Sequence, residues 1–223
     1  MSEPGAEARR EALVELYREV SGCALCPLAE TRTKTVFGAG NANADLMFVG
    51  EAPGAEEDRQ GLPFVGRAGQ LLGELLGEIG MTREDVFIAN VLKSRPPQNR
   101  DPMPNEIEAC QPYLWKQIAL IQPKVIASLG NFATKLLSGS QTGITRVRGT
   151  PQVQELGGRT VFLFPLLHPA AALPATAMKD TLREDFAKLP ALLSESLPEK
   201  DVPEPLPAAQ AKADLADQLD FFG

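Results

Sequence analysis

Four short stretches carry side chains able to do chemistry. Gly50-Glu51-Ala52-Pro53-Gly54 sets a carboxylate in a glycine-bounded loop. Asn90 precedes Val91-Leu92-Lys93-Ser94-Arg95-Pro96-Pro97. Its carboxamide offers a donor and an acceptor side by side, enough to read the edge of a polar ring; the plainer alternative is a turn-forming Asn at a strand end. His168, the only histidine, is followed by Pro169, which fixes its place in the chain. Cys23 and Cys26 form a C-x-x-C, and Cys110 stands apart. Three cysteines cannot build a paired disulfide framework, so metal, a redox pair or plain buried thiols remain open.

The elements that must hold these residues carry their own signals in the chain. Residues 7–20 read as an amphipathic helix with Leu13, Leu16 and Val20 at helical spacing, ended by Gly22. Short apolar runs at 45–49, 86–89, 125–129 and 160–167 read as buried strands. Helices are expected over 66–79, 104–121, 131–137 and 179–193. Strands alternating with helices imply an α/β domain with a central four-stranded parallel sheet flanked by helices. Such sheets bind ligands at the carboxyl ends of their strands. Glu51, Asn90 and His168 each follow a predicted strand, and this shared edge is a stronger signal than any one of them.

Composition is that of a soluble globular chain: 223 residues, 43% hydrophobic and 23% charged. No apolar run approaches the ~20 residues that span a bilayer. The polar first ten residues lack an export signal's pattern, so a cytoplasmic enzyme without membrane contact is expected. The net charge of −7 is uneven: from Pro198 onward six acids and two lysines contribute −4, leaving −3 for the rest. Basic residues gather at Lys93, Arg95 and Arg100 and at Arg146 and Arg148. A local basic groove matters more for phosphate contact than the global sum.

Together with Glu57-Asp58 and Gly61-Leu62-Pro63-Phe64-Val65-Gly66, and with Asn99-Arg100 and His168-Pro169, these motifs resemble the fourth, iron–sulfur family of bacterial and archaeal uracil-DNA glycosylases. The resemblance runs from about Cys23 to Leu189 and implies the fold of that family. It also implies a hydrolase of base-excision repair, which extrudes uracil from DNA into a pocket and cuts its N-glycosidic bond. Phe64 would stack on the base and Asn90 would read its N3–H and O4. His168 would lie against O2 and stabilise charge on the leaving base. Glu51 would position or polarise the attacking water, with Ala52 beside the uracil. Glu57 would stand near C5, where thymine carries its methyl group. Leu173 is a candidate wedge for the gap left by the flipped base, although Pro174 follows it where the family usually has a basic residue. Lys93, Arg95, Arg100, Arg146 and Arg148 would contact phosphates; ordinary surface charge is the plainer reading of each alone.

The resemblance further implies a [4Fe–4S] cluster on four cysteines. Cys23, Cys26 and Cys110 match three of the positions, and Ser94 stands at the remaining one. Three arrangements follow: Ser94 ligates a weakened cluster; three cysteines hold a cluster with an open iron, or another metal such as zinc; or the cluster is lost. A cluster with a structural role is expected, because the flanking segments otherwise keep the family pattern.

Residues 1–194 are expected to form the domain and 195–223 a disordered, acidic, Pro-rich tail. The tail ends in Gln218-Leu219-Asp220-Phe221-Phe222. This resembles peptides that dock on the bacterial sliding clamp through residues such as Gln218, Leu219, Phe221 and Phe222. A single domain of this kind is expected to be a monomer. One rival is a glycosylase for another deaminated base, or one trapping the sugar covalently; the second form is disfavoured because no His follows the Asn90-x-x-Lys93 stretch. The other rival is a non-catalytic DNA-binding or clamp-associated module.

Overall fold

The computed structural model describes residues 5–198. The tail's proposed clamp peptide lies outside the described residues. Six strands form one sheet: β1 (Ala39–Gly40), β2 (Leu46–Gly50), β3 (Phe87–Asn90), β4 (Val125–Leu129), β5 (Gln152–Leu156) and β6 (Arg159–Leu166). Their order is β1-β3-β2-β4-β6-β5. The four inner strands are mutually parallel, as the sequence predicts, and β1 and β5 add antiparallel edges. Gly157 and Gly158, with φ of 58° and 77°, make the two-residue turn joining β5 to β6.

Helices α1 (Ala6–Ser21), α2 (Leu28–Thr31), α3 (Ala55–Gln60), α4 (Arg67–Glu78), α5 (Pro104–Ile121), α6 (Asn131–Ser138), α7 (Ile144–Val147), α8 (Pro169–Ala172), α9 (Thr176–Phe186) and α10 (Leu189–Ser194) connect and cover the sheet. The helix expected over 179–193 is two, α9 and α10, with Pro190 in the first turn of the second; proline suits a helix start but not its interior.

A parallel strand covered on both faces must be apolar on both, and β2 shows how this works. Met47 and Val49 join one apolar cluster with Leu13, Leu16 and Val20 of α1 and Leu114 and Ile118 of α5. Leu46 and Phe48 join the other, with Leu71, Leu72 and Leu75 of α4 and Phe186 of α9. Phe48 and Phe186 stack with ring centroids 5.7 Å apart. Each such buried side chain contributes about 1.5–3 kcal/mol.

After β2 the chain pairs β3 on one side of it, then crosses to place β4 on the other. That reversal opens a crevice at the carboxyl end of β2. The loops after β2, β3 and β6 border this crevice.

Candidate active site

The loops converge on a cavity of about 330 Å³ whose walls include Glu51, Ala52, Glu57, Phe64, Asn90 and His168. All six residues expected at the base pocket are therefore brought together. Pro53, Gly54, Ala68, Pro96, Asn99, Arg100 and Ala170 complete the lining.

Asn90 closes β3 in register with Gly50 of β2. It is 2% exposed, and its Oδ1 is buried without a hydrogen-bond partner. A buried amide oxygen left unsatisfied costs about 1–3 kcal/mol, so this atom is ready to accept a donor from a ligand. Gly50 makes room for it: a β-carbon there would also lie 2.8 Å from the Phe64 ring. Phe64 faces His168 across 5.6 Å between ring centroids, the planes tilted by 30°.

His168 ends the loop after β6 and caps α8, its Nδ1 accepting the Ala170 N–H at 3.1 Å. With Nδ1 an acceptor, a neutral ring carries its proton on Nε2. Burial pushes its pKa down to about 4, against a smaller upward pull from Glu57. Burial also raises the Glu51 carboxyl, helped by Asp101. Glu51 and His168 both border a second cavity beside the first, together with Asp101, Asn131 and Lys135.

Glu57 lines the cavity, yet its Oε1 is already engaged, accepting from the N–H of Val65 at 2.9 Å and of Gly66 at 3.0 Å. It braces the Phe64 loop, a task its sequence context did not suggest.

The basic residues divide differently from the expectation of five phosphate contacts. Lys93 is 2% exposed. Its Nζ donates to the Asn90 carbonyl at 2.7 Å and to Gln117 Oε1 at 2.6 Å, and burial drives its pKa down to about 7. It cannot reach a phosphate from there and instead supports the residue expected to read the base. Arg148 is drawn into an ion pair with buried Asp185 at 2.9 Å, not aligned as a hydrogen bond, and donates to the Thr181 carbonyl; it ties the segment after α7 to α9. Arg100 forms a two-pronged pair with buried Glu106, at 2.9 and 2.6 Å. This neutralises much of its charge at the cavity mouth. Arg95 is half-buried, with Nε on Asn99 Oδ1 at 2.8 Å. Arg146 is the exposed one of the five. Leu173 follows α8, half-buried against the apolar cluster beneath β6, and does not line the cavity.

Cys23, Cys26 and Cys110 take part in no disulfide. Cys23 and Cys26 pack, half-buried, against the apolar cluster that includes Cys110 of α5. Burial raises the Cys110 thiol, and its neighbours Cys26 and Cys23 add to this, while the Lys93 backbone N–H and charge oppose it. Ser94 is buried, its Oγ 3.4 Å from Arg32 Nη1. Among the described residues no group of three or more His, Cys, Asp or Glu is arranged to hold a single metal ion, and no helix is long and apolar enough to cross a membrane.

Known proteins share this sequence pattern. A type-4 uracil-DNA glycosylase of Archaeoglobus fulgidus is 44% identical over 192 residues, covering 84% of this chain and 96% of that protein. One of Thermotoga maritima is 47% identical, over 80% of this chain and 94% of its own, and one of Sulfurisphaera tokodaii 46%, over 80% and 84%. Residues 37–189, the stretch that builds the sheet and every wall of the cavity, match the model of the uracil DNA glycosylase superfamily, and the chain belongs to that family.

Proposed function

We propose that this protein is a uracil-DNA glycosylase, a hydrolase that extrudes uracil from DNA and leaves an abasic site. The observation that carries the reading is the buried, unpartnered Oδ1 of Asn90 in a cavity walled by Phe64 and His168. Uracil meets each group with its complement. Its N3–H donates to Asn90 Oδ1, its O4 accepts from Asn90 Nδ2, and its face stacks on Phe64.

As the N1–C1′ bond breaks, its electron pair moves onto the base and the sugar becomes oxocarbenium-like. His168, neutral and donating from Nε2, stabilises the charge gathering on O2. A water held by Glu51 adds its oxygen to C1′ and gives up a proton to the Glu51 carboxylate, from which it passes through solvent to the departing uracil anion. Ala52 packs beside the base, Glu57 stands where thymine's methyl would intrude, and Leu173 fills the vacated stack. Arg146, with Arg95 and a partly neutralised Arg100, meets the phosphates.

Cys23, Cys26 and Cys110, with Ser94 at the fourth position, would hold a [4Fe–4S] cluster. The donor set suits it: three soft sulfurs share one region, and a backbone N–H already supports Cys110. The cluster would link the α1–α2 loop to α5 structurally, without entering the hydrolysis. Residues 1–194 form the catalytic domain in this reading. The enzyme acts as a cytoplasmic monomer, and its tail, through Gln218 to Phe222, recruits it to the sliding clamp.

The test is turnover of a uracil-containing oligonucleotide. Wild-type protein should release uracil, and Asn90→Ala and His168→Ala should each lose about 100-fold or more in single-turnover rate. No release by the wild type, or full activity in both variants, defeats the reading.

A further inference from the structure

Phe64 holds a backbone conformation that phenylalanine seldom adopts. Its φ is 52°, in the left-handed region, where a bulky residue with a β-carbon is strained. Such a residue stays there only where its surroundings over-determine it.

Three elements do so here. Arg83, in the turn between α4 and β3, sends Nη2 to the Pro63 carbonyl at 2.7 Å and Nη1 to the Phe64 carbonyl at 3.0 Å. Glu57 of α3 takes the N–H groups of Val65 and Gly66. Gly69 of α4 packs so closely that a β-carbon on it would fall 1.7 Å from the Phe64 oxygen. Three consecutive peptide groups are thus gripped: 63–64 by its carbonyl, 64–65 by both its carbonyl and its amide, and 65–66 by its amide. The turn bearing Arg83 is itself fixed, Asp85 Oδ2 accepting from the Thr82 N–H at 2.7 Å and from its hydroxyl at 2.9 Å.

We propose that Arg83 is a positioning residue for base recognition: its planar fork locks the Pro63–Phe64 peptides so that the Phe64 ring faces His168 across the cavity. Arg83 does not line that cavity and touches no reacting atom. It acts through Phe64. A lysine, with one ammonium, cannot present two donors in a fixed plane. The inference rests on the reading of Phe64 as the stacking face.

The experiment is a double-mutant cycle with Arg83→Met, Arg83→Lys, Phe64→Ala and the combinations, read by kcat and KM on a uracil oligonucleotide, the affinity for free uracil, and thermal unfolding. Arg83→Met should lower kcat/KM by about 10- to 100-fold and weaken free-uracil binding, with Arg83→Lys recovering part of both. In the Phe64→Ala background the same change should cost less than about twofold, because the residue it acts through is gone. An equal cost in both backgrounds, or no cost in the wild type, overturns the inference and leaves the pocket reading intact. Phe64→Ala with undiminished turnover and uracil affinity removes the stacking reading and the inference together. Should Arg83→Met not fold, Arg83→Lys in both backgrounds decides by the same rule.

Discussion

Gly50 and Asn90 sit side by side across β2 and β3, and a β-carbon on Gly50 would lie 2.4 Å from Asn90 Oδ1. No real β-carbon tolerates that approach, so the space belongs to the amide. Gly50→Ala should push the Asn90 side chain and the Phe64 ring aside. We expect kcat/KM on a uracil oligonucleotide to fall by about 100-fold while far-UV circular dichroism stays that of the wild type. Unchanged kinetics would show that the amide does not need its present position.

His168 is the only histidine, so its ring signals in NMR need no assignment. They should titrate near pH 4, well below the ordinary value of 6.5. The sign follows from linkage. The folded state disfavours the imidazolium, so between about 6.5 and 4 the unfolded chain binds the extra proton. Stability is therefore fully present above 6.5, falls as pH drops through that window, and does not recover below it. Thermal melts across pH 4–7 should show a steeper decline for wild type than for His168→Ala. A midpoint near 6.5 in the folded protein would contradict the half-buried, neutral ring.

The basic residues can be separated by salt. Arg146→Gln should reduce the slope of log K against log salt for DNA binding by about one contact, roughly 0.7–0.9. Arg148→Gln should leave the slope unchanged and lower stability instead, since it leaves Asp185 buried beside Lys188 alone. Filter-binding or fluorescence titrations at several salt concentrations decide this. An equal change in slope for both would place Arg148 on the DNA.

Protein purified without oxygen should carry iron and absorb broadly at roughly 400 nm from thiolate-to-iron charge transfer. Cys110→Ala should lose both, and Ser94→Cys should retain more iron than wild type after exposure to air. Iron-free wild type with full activity and the same melting temperature would remove the cluster from the account.

Much of this arrangement is legible in the sequence. The inner strands announce themselves as apolar runs because helices cover both faces, and the motif residues fall at their ends. The edges are less legible: β1 has two residues, too few for a pattern, and β5 is signalled only by the Gly157-Gly158 turn that follows it. The cavity walls Phe64, Asn90 and His168 stand together as expected. What sequence could not supply is the direction of long side chains. Lys93 and Arg148 look like surface charge until the fold turns one beneath the Asn90 carbonyl and the other toward Asp185. Arg83 carries no local signature, because its partners lie about twenty residues away and are backbone atoms.

The grip on residues 63–66 has a thermodynamic corollary. Loops that order only when a ligand arrives lose conformational freedom at that moment and bind more weakly for it. Here that loss falls on folding, before any DNA is met. Calorimetry of free uracil with the wild type should therefore show a smaller entropic penalty than with Arg83→Met, the difference measuring how much of the pocket's shape exists in advance.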